Sequence, residues 1–123
     1  MRVGVDLVEV AAFQARFDGR DDLLGDTFTE AELAYCRAQP HPWRHMAARF
    51  AAREAALKAL GTGLAAAGSW RDIEVTRDPA GTPGLVFHGG MAGALRRAGF
   101  ERTTVSLSHT ATHAIAVVVL FRA

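Results

Sequence analysis

Lysine is almost absent from these 123 residues: Lys58 is the only one, and arginine supplies the rest of the 14 basic side chains. Guanidinium forks suit phosphate and carboxylate, although a G+C-rich coding sequence produces the same bias. Cysteine is represented by Cys36 alone, which excludes an intrachain disulfide and a multi-cysteine zinc site. Neither charge dominates. With 22% charged residues and a formal net charge of +1, the chain has no general pull toward nucleic acid or membrane. No apolar run approaches the roughly 20 residues of a spanning helix, and the longest, Ala114 to Phe121, is strand-sized. Internal repeats, linkers and low-complexity segments are missing, as are a Walker loop, a G-x-G-x-x-G turn and a G-x-S-x-G elbow. The first ten residues read as a strand rather than a signal peptide, so a cytoplasmic location is the expectation.

Half of the residues are apolar, enough for one domain spanning 1–123 but with a modest core that self-association would help. Residues 2–8 alternate as a strand, with Val3, Val5 and Leu7 on one face and Gly4, Asp6 and Val8 on the other. A short helix is predicted over 10–18, then a polar break from Gly19 to Gly25. Thr29 and Glu32 form a capping-box pattern for a helix over about 30–38, stopped by Gln39-Pro40-His41-Pro42. An alanine-rich helix follows from about Arg44 to Leu60, ended by Gly61. Strands at 73–76 and 85–88 flank a turn at 78–83, a helix covers 89–99, and strands at 103–107 and 114–121 close the chain. The class is α+β, a small, mostly antiparallel sheet packed against a long buried helix.

In that long helix Met46, Phe50, Leu57 and Leu60 form one stripe, and the other side is alanine. Arg53 falls within the stripe, with Glu54 and Lys58 at its edge. Charges so placed need partners, the simplest being a Glu54–Lys58 pair one turn apart. Asp6, in the middle of an apolar strand, offers another. If the strand packs on the helix, Asp6 and Glu54 converge into a two-carboxylate magnesium site completed by water and phosphate, with Lys58 in reach. Ser106, Ser108 and His109 lie at a strand end, suited to an oxygen-rich ligand. His109 and His113 have a zinc-like spacing, but on a segment that does not read as a helix.

Val3-Gly-Val-Asp-Leu-Val-Glu-Val10, Phe28-Thr-x-x-Glu32, Arg49-Phe-Ala-Ala-Arg-Glu-Ala-Ala-Leu-Lys-Ala-Leu-Gly61, Trp70-x-Asp-Ile-Glu-Val75, Gly81-x-Pro83 and Val105-Ser-Leu-Ser-His109 together resemble the holo-[acyl-carrier-protein] synthase family, the short type of 4'-phosphopantetheinyl transferase. The resemblance spans nearly the whole chain. It departs at Arg53, where the family usually has lysine, and at Thr110, where many members carry an acidic or other polar residue after the Ser-His pair. It implies transfer of phosphopantetheine from coenzyme A to a serine of an acyl carrier protein, releasing adenosine 3',5'-bisphosphate. Magnesium on Asp6 and Glu54, Glu54 as base either directly or through a bound water, and Lys58 and His109 on the phosphates are implied with it. Arg49, Arg53, Ser106, Ser108 and the Gly61–Gly63 loop would hold coenzyme A, and Arg16 and Arg20 would receive the carrier. The resemblance also implies a homotrimer with sites between subunits. Two rival readings share the carboxylates: a magnesium-dependent hydrolase of coenzyme A-like pyrophosphates, and a binding domain without activity.

Overall fold

The computed structural model describes residues 1–62 and 68–122. The alternating segment forms strand β1, Arg2–Glu9, which runs directly into helix α1, Val10–Phe17. The stretch expected as a polar break instead carries helix α2, Asp21–Thr27. Asp21 and Asp22 occupy its first turn, where carboxylates favour a helix start. Leu24 is buried beneath it, and Thr27 Oγ1 donates to Leu23 O at 2.7 Å. Helix α3, Glu30–Arg37, begins at the expected capping box, with Thr29 and Glu32 each accepting from the other's backbone N–H.

Helix α4 spans Pro42–Leu60. It starts at Pro42 rather than Arg44 because proline in the first turn lacks only an N–H that would have had no partner. Gly61 caps its end with φ +80°, a left-handed conformation that favours glycine. After a 3-10 turn at Trp70–Asp72 come β2, Ile73–Arg77, β3, Pro83–Phe87, helix α5, Gly89–Arg97, β4, Phe100–His109, and β5, His113–Arg122. The last two strands are longer than alternation suggested, so Ser108 and His109 end a strand instead of opening a turn. The connection shrinks to 110–112, closed by Thr110 N–H donating to His113 O at 2.8 Å.

All pairings are antiparallel: β1-β5-β4 form one sheet and β2-β3 a second. This is the expected α+β architecture, built around α4. Ala51, Ala52, Ala55 and Ala56 are fully inaccessible. The alanine side of α4 therefore packs backbone-close on the sheet, and the gain comes from dense contact rather than from large apolar area. Gly4 completes this fit, since a Cβ there would run into the carbonyl oxygen of Ala55. The two halves of α4 serve two apolar clusters. Met46 and Phe50 join Phe13, Phe17 and Phe28, whereas Leu57 and Leu60 join Ile73, Met91 and Leu120. Among the described residues no helix is long and apolar enough to cross a membrane.

The opposite face of the three-stranded sheet stays open. Val3, Val5 and Leu7 are 64%, 50% and 63% exposed. Register places them beside Val119, Val117 and Ile115, with Thr104, Ser106 and Ser108 completing the three rows.

Candidate active site

Packing β1 on α4 brings three predicted residues together. Asp6 shares the inward face of β1 with Gly4 and meets Lys58, whose ammonium donates to Asp6 Oδ1 at 2.8 Å and to Val5 O at 3.1 Å. Lys58 thus pairs across the strand–helix contact, not with Glu54 along its own helix. Glu54, one turn earlier, has its carboxyl pKa raised by burial first and by the Asp6 charge second, against the lowering pull of Lys58 and Arg16. The Lys58 pKa is raised, chiefly by its hydrogen bond to Asp6.

No group of three or more His, Cys, Asp or Glu side chains occurs among the described residues in a metal-binding arrangement, and the carboxylates brought together here are two, Asp6 and Glu54. Those two fit a hard divalent cation. Burial first and the Asp6 charge second disfavour the ionised Glu54 carboxylate, and a cation between the two would relieve that repulsion while leaving positions for water or phosphate oxygens. Asp6, Glu54 and Lys58 therefore form a candidate site of two carboxylates with a half-exposed ammonium at its edge. Arg16 is a further cation whose charge acts on Glu54. Its guanidinium lies 5.3 Å from the Phe17 ring centre and 5.8 Å from that of Phe50. Arg20 points away into an exposed contact with Asp22 at 3.4 Å.

The remaining predicted residues lie elsewhere in the chain. Ser106 and Ser108 project from the open face of the sheet, opposite Asp6. His109 packs edge-to-face on His45, ring centres 4.7 Å apart, nine residues and about 13 Å of helix before Glu54. Burial and the charges of Arg44 and His41 lower its pKa. Arg49 is 2% exposed, with its guanidinium 4.4 Å from the Tyr35 ring centre and no hydrogen-bond partner for Nε. Arg53 was expected at the ligand's nucleotide end. The structure turns it inward, completely buried, where it grips both oxygens of Glu32 and donates to Trp70 O at 2.9 Å. Gly61 caps α4, and Gly63 lies outside the described residues.

Sequence reasoning missed the Arg53–Glu32 pair, although both halves of the signal were present: a cation in an apolar stripe, and an acid already used in a capping box. His45 also carried no pattern that would single it out. Cys36 is fully buried, and burial foremost pushes its thiol up to about 11, which makes it a packing residue rather than a nucleophile.

Residues 2–118 match the 4'-phosphopantetheinyl transferase superfamily, so the class is a transferase acting on phosphopantetheine. Over 120 residues the chain is 45% identical to the holo-[acyl-carrier-protein] synthase of Geobacter sp. (strain M21), covering 97% of this chain and 96% of that one. It is 44% identical to the holo-[acyl-carrier-protein] synthase of Koribacter versatilis (strain Ellin345), covering 95% and 94%. The crystal structure of Helicobacter pylori holo-[acyl-carrier-protein] synthase in complex with coenzyme A superposes with a TM-score of 0.84 at 26% identity, over 97% of this chain and 99% of that one. The chain belongs to the holo-[acyl-carrier-protein] synthase family and is a phosphopantetheinyl transferase.

Proposed function

We propose that this enzyme moves the 4'-phosphopantetheine arm of coenzyme A onto a serine of an apo acyl carrier protein, with magnesium, releasing adenosine 3',5'-bisphosphate. The observation that carries the reading is the convergence of Asp6, Glu54 and Lys58 across the β1–α4 contact, in a chain of this family. Asp6 and Glu54 would hold magnesium, which supplies charge neutralisation at the phosphates. The raised pKa of Glu54 makes it a better proton acceptor for the incoming serine hydroxyl than an ordinary glutamate. Lys58 is 55% exposed and tethered only through its ammonium, so it can turn from Asp6 to the transferring phosphoryl group and steady its charge.

Arg49, with its free Nε, and His109 serve the nucleotide end, and Ser106 and Ser108 add hydroxyl contacts. Arg16, beside Glu54, and Arg20 receive the acidic carrier. Asp6 and the two serines occupy opposite faces of one sheet. One coenzyme A can meet both sets if the open face of one subunit lies against the site of another. The exposed Val3, Val5 and Leu7 rows support such packing, and with it a homotrimer with sites between subunits. Because α4 joins both apolar clusters, residues 1–123 are read as one domain. The cytoplasm, which holds coenzyme A and apo carriers, is the compartment this reaction requires.

The test is product release, followed by chromatography for adenosine 3',5'-bisphosphate. Glu54→Gln and Asp6→Asn are expected to lower the rate by at least about 10²-fold, as EDTA does, with folded protein in each case. Near-normal release by either variant would sink the carboxylate assignment. Release without any carrier protein would favour pyrophosphate hydrolysis.

A further inference from the structure

Behind the nucleotide-end residues lies a feature the transfer reaction does not by itself explain. A pocket of about 290 Å³ opens between α3 and β2, lined by Glu32, Tyr35, Arg49, Glu74, Val75 and Arg77 among others. Arg49 and Arg77 both approach the Tyr35 ring, at 4.4 and 5.0 Å. Among the described residues neither arginine has a carboxylate within ion-pair distance. The pocket's own acids are engaged elsewhere. Glu74 accepts from Thr29 Oγ1 at 2.8 Å and lies 3.0 Å from His88 Nε2. Glu32 is held by Arg53. The Nε of the almost fully buried Arg49 is left without a partner, so the pocket offers an acceptor an unsatisfied guanidinium donor.

Arg53 sits directly behind this pocket and ties its parts together. Its Nη1 donates to Glu32 Oε2 at 2.9 Å and to Arg49 O at 3.2 Å, its Nη2 to Glu32 Oε1, and its Nε to Trp70 O at 2.9 Å. Glu32 in turn accepts from Val75 N–H of β2 at 3.2 Å and from Thr29 N–H at the start of α3 at 3.1 Å. One buried ion pair thus bolts α3, α4, β2 and the Trp70 turn to each other. A planar five-donor guanidinium can make these bonds at once, whereas a lysine ammonium, with its donors on one atom, cannot span them.

We infer that Arg53 is a positioning residue: its pair with Glu32 fixes the width of the α3–β2 pocket and the place of Arg49 within it. The pair thereby sets affinity for the anionic nucleotide end of the substrate, not the rate of phosphoryl transfer. This rests on the proposed function, which places the nucleotide end of coenzyme A at Arg49.

The experiment compares the wild type, R53K, and the double variant E32L/R53L, which removes both charges so that neither is left buried alone. Melting temperature is read first, then KM for coenzyme A and kcat with apo acyl carrier protein. Calorimetric titration with adenosine 3',5'-bisphosphate completes the set. The expected result is a KM for coenzyme A raised, and a bisphosphate affinity lowered, by about tenfold, the worth of one well-placed charged hydrogen bond. The kcat stays within about twofold. If the double variant melts below the assay temperature, R53K carries the same readout. Variants that bind both ligands like the wild type, or that lose kcat at unchanged KM, overturn the inference while leaving the transferase reading intact. A wild-type protein that binds neither ligand overturns both.

Discussion

At the level of single side chains, the site is an arrangement of charges that the fold crowds together. Asp6 and Glu54 repel, and Lys58 answers one of them. Asp6 was legible in the sequence as a charge in the middle of an apolar strand, and Glu54 and Lys58 as charges at the edge of the apolar stripe of the long helix. Arg53 was equally conspicuous, but helix phase shows only that it points inward, and its partner Glu32 lies 21 residues away on another element. His45 was not legible, since its environment is made by Tyr35 and His109 from other segments. Burial first, and then the charge of His109 followed by Arg49, Arg77 and His41, lower its pKa from 6.5 to about 4. The unfolded chain takes up that proton near 6.5, whereas the folded one refuses it until about 4. The contribution of His45 is therefore whole above about pH 6.5 and is lost as the pH falls toward 4. Thermal melts between about pH 7 and about pH 5 should show stability falling on acidification in the wild type, and a flatter slope in His45→Phe, which keeps a ring between Tyr35 and His109. Identical slopes in the two proteins would contradict this account of His45.

At the level of elements, α4 carries the fold together with Glu54 and Lys58 of the candidate site. Its alanine side, its capping glycine and the alternation of β1 were all readable. Helix α2 was not, because seven residues with a central glycine offer no periodic stripe and depend on burying Leu24. The lengths of β4 and β5 were also underestimated, since Ser108 and His109 look like turn residues yet pair with Ile115 and Ala114. The tightest joint is Gly4 against α4. A methyl group there meets the Ala55 carbonyl and lies 2.8 Å from Ala59 N, both of them backbone atoms that cannot swing aside. Gly4→Ala is expected to cost about 3 kcal/mol or more in chemical denaturation and to reduce activity by shifting Asp6 relative to Glu54. A variant that unfolds at the wild-type midpoint would show that β1 is not seated on α4 in this way.

At the level of the whole molecule, the unresolved demand is the open sheet face. Val3, Val5 and Leu7 lie on an edge strand, a position that soluble proteins normally blunt or cover. Each such side chain contributes about 1.5–3 kcal/mol when buried. In the proposed shared-site arrangement, another copy would cover this face and bring its Asp6 to Ser106 and Ser108, which lie on the opposite face from Asp6 within one chain. The sequence showed the apolar alternation on β1, but only the register reveals three matched rows, because β5 and β4 come from the far end of the chain. Leu7→Glu should convert a self-associated species to monomer in sedimentation velocity and lower transfer with it; a wild-type protein that sediments as a monomer contradicts the shared-site arrangement.

The central claim, phosphopantetheine transfer, is tested most directly by intact mass spectrometry of an apo acyl carrier protein incubated with this enzyme, coenzyme A and magnesium. The account predicts a gain of one phosphopantetheine on the carrier, abolished by EDTA and by Glu54→Gln. An unchanged carrier mass across several apo carriers, with folded enzyme that still binds coenzyme A, would contradict it.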